Sequence, residues 1–161
     1  MSGIARGRLS QERKHWRRDK PFGMHARPQS KADGSTDLLI WDCIIPGKKA
    51  TTWDGAFLPL TLRFSEEYPE KPPTAHFPQG FFHPNVYPSG KVCLSILNEE
   101  KGWRPSLSLK QILQGVQDLL DNPNNADPAQ EGAYRMLSNS KAAYIETVKK
   151  EVAKYQQSFF E

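Results

Sequence analysis

Residues 78–105 read PQGFFHPNVYPSGKVCLSILNEEKGWRP. Across this stretch neither a strand-like nor a helix-like repeat of apolar residues persists, and proline, glycine and asparagine recur instead. An irregular segment this long inside a compact domain is uncommon and usually carries function. What lies on either side of it decides the fold: strand signals come before it and helix signals after.

Working upstream, residues 56–64 alternate cleanly. Ala56, Leu58, Leu60, Leu62 and Phe64 fall on one face, and Phe57, Pro59, Thr61 and Arg63 on the other, the pattern of a half-buried strand. Residues 36–45, TDLLIWDCII, are β-rich and apolar, and Pro46-Gly47-Lys48-Lys49 turns the chain after them. A short strand is expected at 74–77, after the Tyr68-Pro69…Pro72-Pro73 break, and another near 24–28. Four antiparallel strands with short connections result. Residues 2–18 read as a helix capped by Ser2 and ended by Pro21 and Gly23, with Ile4, Leu9 and Trp16 as its buried stripe.

Downstream, Leu109, Ile112, Leu113, Val116, Leu119 and Leu120 form one apolar helical face. Ser108 and Gln111 fit a capping box, and Asn122-Pro123 stops the helix. Asp127-Pro128-Ala129-Gln130 reads as a second helix start, with Asp as the cap and Pro in the first turn. A last helix is expected over 140–155. The expected fold class is α+β, one domain spanning residues 1–161, with an N-terminal helix, a four-stranded antiparallel meander, an irregular centre and three C-terminal helices.

The chain is 37% hydrophobic and 25% charged, which suits a globular protein rather than a disordered one. No apolar run approaches the roughly 18 residues of a membrane span, and the opening MSGIARGRLSQERK lacks the apolar core of a secretory signal. Residues 1–20 hold seven cations against two anions, a balance of +5, so the other 141 residues sum to −1. The basic character is therefore local. Arg6, Arg13, Arg17 and Lys20 are spaced to share one helical face, a docking surface for an acidic partner or simply a solvated face. Nucleic acid is the weaker alternative, because the helix interleaves no aromatic beyond Trp16.

Cys43 and Cys93 are the only cysteines. Two are too few for a disulfide framework or a four-cysteine zinc site, and the histidines show no ligand spacing with them. No metal and no cofactor is expected, and a reducing compartment, cytosol or nucleus, is the simplest setting. Cys43 sits in an apolar strand and reads as an inert hydrophobe. Cys93, in the irregular centre, is the candidate nucleophile. The nearest histidine, His83, precedes a proline and reads as a turn residue bonded to backbone rather than as a base. No CxxC is present, against a thioredoxin-type role.

Phe82-His83-Pro84-Asn85-Val86-Tyr87-Pro88-Ser89-Gly90-Lys91-Val92-Cys93-Leu94 resembles the active-site signature of the ubiquitin-conjugating enzymes. Tyr68-Pro69-Glu70-Lys71-Pro72-Pro73 resembles the family's proline-rich turn, and Trp103-Arg104-Pro105 the element that follows its cysteine. The similarity runs in order along essentially the whole chain. Within the family it is most similar to the SUMO-conjugating branch. Four features carry this: the basic first helix, the Pro46–Lys49 and Trp53-Asp54-Gly55 loop, Asn98-Glu99-Glu100-Lys101, and Tyr87–Gly90 with Asp127–Gln130.

The resemblance implies that Cys93 takes a small modifier as a thioester from an activating enzyme and passes it to substrate lysines. A cysteine thiol titrating near 8.5 supplies some thiolate without a dedicated base. A lysine of pKa about 10.4 is only about 0.04% neutral at pH 7, so a nearby carboxylate or phenol and desolvation must help it. Asp127 and Tyr87 match the family positions credited with this, and Asn85 matches the proposed oxyanion donor, though it can equally brace the loop. Tyr87, Ser89, Asp127, Pro128, Ala129 and Gln130 match positions lining the groove for a substrate motif of aliphatic residue, lysine, any residue and acid. Lys101 is placed with this substrate-binding set.

Four groove positions depart from the branch pattern. Thr74 and His76 stand where lysines are common, Lys91 where threonine is, and Glu131 where a small residue is. Lys91 is expected to take over part of the pairing with the motif's acidic residue. Arg13, Arg17 and Phe22 resemble the surface that holds a second, non-covalent SUMO and contacts the SUMO-activating enzyme, with Lys14 and Arg18 beside them and Lys20 replacing a histidine common there, a cation without its pH sensitivity. SUMO ligases complete the implied partners, no membrane is among them, and the implied location is nucleus and cytoplasm. A ubiquitin carrier of the same fold is the alternative, and a silent modifier-binding scaffold is the alternative of another class.

Overall fold

The computed structural model describes residues 2–156. Helix α1 spans Ser2–Arg18; the cap expected at Ser2 rests on a side chain outside that description. Ala5, Leu9, Glu12 and Trp16 are its buried residues, spaced 4-3-4 as one helical face requires. Ile4, expected in that stripe, is 66% exposed. It lies five residues before Leu9, on another side of the helix, and Ala5 takes the inward position. Lys20 lies beyond the helix end, so only Arg6, Arg13 and Arg17 keep the helical register.

Strands β1 (His25–Ser30), β2 (Thr36–Pro46), β3 (Phe57–Arg63) and β4 (Thr74–His76) form one antiparallel sheet in the order β1-β2-β3-β4. Trp41, Cys43 and Ile45 of β2 and Leu58, Leu60 and Leu62 of β3 point inward and are buried. The alternation read over 56–64 is the observed one, from Ala56 to Phe64. Burial of the four aliphatic side chains among them, Ile45, Leu58, Leu60 and Leu62, supplies about 1.5–3 kcal/mol each before the ordering entropy is set against it.

Helix α2 (Leu109–Asp121) presents the expected apolar face and begins at the expected capping box, Ser108 with Gln111. α1 and α2 both contact β2. A long-range cap joins them: the buried Glu12 carboxylate accepts from Leu109 N–H at 2.8 Å and from Arg8 Nε at 3.1 Å. Arg8 in turn donates to the Pro105 and Leu107 carbonyls at 2.7 and 3.1 Å. Helices α3 (Glu131–Asn139) and α4 (Lys141–Lys154) follow, with Ser140 capping α4.

One expected boundary moves. α3 starts at Glu131 with Gln130 as its cap, not at Asp127. The Ala129 and Gln130 N–H groups donate instead to the Pro84 carbonyl at 2.8 and 3.2 Å, which holds Asp127–Gln130 as a strap across the central segment.

Candidate active site

The central segment turns tightly before Cys93. Gly90 stands at φ +98°, and a Cβ there would lie 2.1 Å from the Phe77 carbonyl oxygen, so both backbone angle and space require glycine. Gly90 N–H donates to Tyr87 O at 2.8 Å and Tyr87 N–H to Lys91 O at 2.9 Å. Val86 bridges Val92, and Cys93 N–H donates to Asn85 O at 2.8 Å. The cysteine is thereby fixed to the HPN loop by its own backbone, leaving the side chain partly exposed.

His83 is wholly buried. Its Nδ1 accepts from Asn85 N–H at 3.0 Å, so Nε2 carries the proton and donates to the Leu119 and Leu120 carbonyls at 2.9 and 3.2 Å. Burial pushes its pKa down to about 4, against smaller opposing effects of the two carbonyls. A neutral ring with both nitrogens committed to backbone is a brace and not a base for Cys93.

Asn85 is also wholly buried. Its amide donates to the Asn124 and Asp127 carbonyls at 2.7 and 2.8 Å, and its Oδ1 accepts from Asn124 N–H at 2.7 Å. Asn85 therefore ties the strap to the cysteine loop, with both amide hydrogens in use. Gln130 adds two more ties: Nε2 donates to Phe81 O at 2.8 Å and to Val86 O at 3.0 Å. From α4, the buried Glu151 accepts from Phe82 N–H at 3.0 Å while pairing with Lys154 at 3.0 Å. No local pattern signals the bracing roles of Gln130, Glu151 and Glu12, since the backbone groups they hold lie far along the chain.

The result is a cleft of about 310 Å³ whose lining includes Tyr87, Lys91, Cys93, Glu99, Lys101 and Asp127. A second cleft, of about 230 Å³, runs between Cys93 and α2 past Gly115 and Asp118. Both share Cys93, Leu94, Ser95 and Asp127, so the cysteine lies where the two clefts meet. The Asp127 carboxylate receives Lys101 Nζ at 3.3 and 3.4 Å and Asn124 Nδ2 at 3.2 Å. Tyr87 is 44% exposed. Ser89 and Pro128 are exposed outside the residues lining either cleft, with Ser89 Oγ accepting from Lys91 N–H at 3.3 Å. Ala129 and Gln130 face the HPN loop as described. Cys43, 2% exposed, is inert: burial first, then Asp42, pushes its thiol well above the ordinary range. Among the described residues no group of His, Cys, Asp and Glu is arranged to hold a metal, and no helix is long and apolar enough to cross a membrane.

On the outer face of the sheet, pairing aligns Arg27, Asp42, Thr61, His76 and Lys91 in one row. Burial, then the Arg63 and Lys91 charges, holds His76 below its ordinary pKa, so the cation at this edge is Lys91 with Arg63 rather than the imidazole. On the opposite flank Lys14, Arg17, Arg18 and Lys20 are exposed and Arg13 half-buried, and none is in an ion pair among the described residues. Phe22, 97% exposed, stands over a cavity of about 380 Å³ shared with Pro46, Lys48 and Lys49.

A helix, a four-stranded meander, a braced cysteine loop and three further helices define a thioester-forming transferase, and the chain belongs to the ubiquitin-conjugating enzyme family: the family model described as "Ubiquitin-conjugating enzyme" matches residues 8–152. It is similar to the SUMO-conjugating enzyme SCE1 of Arabidopsis thaliana, 58% identical over 96% of each chain. It is also similar to the SUMO-conjugating enzyme ubc9 of Dictyostelium discoideum, 55% identical over 92% of this chain and 94% of that one. The SUMO-conjugating enzyme UBC9 of Caenorhabditis elegans is 53% identical over 96% of this chain and 93% of its own.

Proposed function

We propose that this chain accepts SUMO as a thioester on Cys93 and transfers it to substrate lysines as an isopeptide. The observation that carries the reading is a partly exposed Cys93 in two clefts that also share Asp127, in a chain similar at 53–58% identity to proteins named SUMO-conjugating enzymes. The modifier's tail occupies one cleft and the acceptor lysine the other, beside Asp127 and Tyr87. The exposed basic flank with Phe22 serves the SUMO-activating enzyme and a second, non-covalent SUMO. SUMO ligases act on the loaded form, in nucleus and cytoplasm. The test is charging with purified activating enzymes: SUMO is expected to form a reductant-cleavable adduct at least about tenfold faster than ubiquitin, and preferential charging with ubiquitin would overturn the assignment.

Substrates carry an aliphatic-Lys-x-acidic motif, and Lys91, exposed beside the neutral His76, pairs with the acidic residue. A surface pair of this kind is worth up to about 1 kcal/mol. Lys91→Thr is expected to reduce the preference for peptides carrying the acidic residue by about 2- to 5-fold in KM; an unchanged preference would reject the pairing.

A further inference from the structure

The Lys101–Asp127 ion pair has a role of its own if the reading above holds, on which this inference rests. We propose that Lys101 is the cation that keeps an incoming acceptor lysine in its neutral, nucleophilic form. The reaction begins with an ammonium, which must lose a proton before it can attack. The amine lone pair then forms the C–N bond, the C–S bond breaks, and its electron pair leaves on Cys93 Sγ. Of the two protons shed, one ends on the thiol and one in solvent. An isolated Asp127 carboxylate would bind the ammonium well and so oppose the first loss. Lys101 Nζ, 3.3 and 3.4 Å from its two oxygens, removes that bias. A carboxylate already shared with one ammonium still positions a second amine by hydrogen bonding, while like charge a few ångströms away favours its neutral form.

The remaining groups in the cleft do not undo this. Lys91 adds a second cation, Glu99 an anion and Tyr87 a phenol, all lining it with Cys93, so Lys91 offsets Glu99 and the Lys101–Asp127 pair sets the balance. Asp118, on the α2 side, is engaged by Lys48. Lys101 is 50% and Asp127 37% exposed, so solvent screens the interaction and the expected influence is limited to about one pH unit.

The experiment follows single-turnover discharge of the purified thioester, normalised to thioester formed, from pH 6.5 to 10. Two acceptors are compared: a lysine peptide, and hydroxylamine, which is already neutral at pH 7. Lys101→Met is expected to slow transfer to lysine about 3- to 10-fold at pH 7, to shift its pH profile upward, and to lower the lysine-to-hydroxylamine rate ratio. Lys101→Arg should restore all three. Equal slowing toward both acceptors, or an unshifted profile, would overturn the inference by showing a merely structural role. Faster transfer to lysine at pH 7 would overturn it by showing that Lys101 blocks the acceptor position. Failure of wild type to form the thioester would instead fail the reading of Cys93 itself.

Discussion

Cys93→Ser is expected to abolish the reductant-cleavable adduct and to lower transfer to lysine by more than about 10³-fold, the scale on which loss of an enzymatic nucleophile falls. The substitution leaves the scaffold alone. Cys93 is held through its backbone N–H to Asn85 O, a bond that serine keeps. What changes is the nucleophile. A thiol supplies some thiolate at neutral pH without help, whereas a serine hydroxyl needs an adjacent base. The one histidine near in sequence cannot act as that base, because His83 is buried, neutral and bonded to backbone at both nitrogens. Any oxyester that forms survives reductant, and it reacts slowly with amines because an alkoxide leaves less readily than a thiolate. Non-reducing and reducing gels of charged wild type and variant make the measurement. A reductant-cleavable adduct persisting in Cys93→Ser would overthrow the assignment, and Cys43 gives it no second route, being 2% exposed in the core.

The elements legible in the sequence were those whose stabilising partners are local or periodic. Alternation over 56–64 and the apolar face of α2 depend only on which side of an element meets the core, so both emerged intact. The Ser108–Gln111 capping box closes within four residues and was equally visible. Asp127-Pro128-Ala129-Gln130 carries the same kind of local signal and does not start a helix. Its N–H groups find the Pro84 carbonyl first, a tertiary partner that propensity does not register. Ile4 is exposed for a simpler reason: five residues from Leu9 put it on another side of α1, and Ala5, four residues away, takes the inward position.

The site divides along the same line. Cys93, Tyr87, Lys91, Lys101 and Asp127 are all legible in the sequence, and all line one cleft. The scaffold behind them is not. Gln130 reads as a groove residue but spends its amide on Phe81 and Val86 carbonyls. Glu12 and Glu151 belong to no sequence motif yet are buried, each satisfied by a backbone N–H from a distant segment. A buried carboxylate persists only where such donors are supplied, and only the assembled fold reveals the supply. His83 is the instructive intermediate: its neighbouring proline argued correctly against a base, while its partners at the end of α2 were invisible.

Asn85→Ala should therefore damage the enzyme in two measurable ways at once. It deletes two donors and one acceptor that join the cysteine loop to Asn124 and Asp127. The orphaned strap can move toward water, so the loss of stability is about 1–3 kcal/mol rather than the sum of three bonds, read as a melting temperature lower by about 3–10 °C. The strap carries the Asp127 carboxylate, and a displacement near 1 Å in a reacting geometry is enough to slow transfer about 10²-fold, with loss of an oxyanion donor reaching 10²–10³. The two roles separate by hydrogen exchange. If Asn85 works as a brace, the Asn124 amide, which donates to its Oδ1 at 2.7 Å, loses protection in the variant together with those of Ala129 and Gln130. If it works only as an oxyanion donor, transfer slows while those amides stay protected. The buried position of Asn85, with both amide hydrogens given to carbonyls, makes the first pattern the expected one; transfer within twofold of wild type would show that neither role matters.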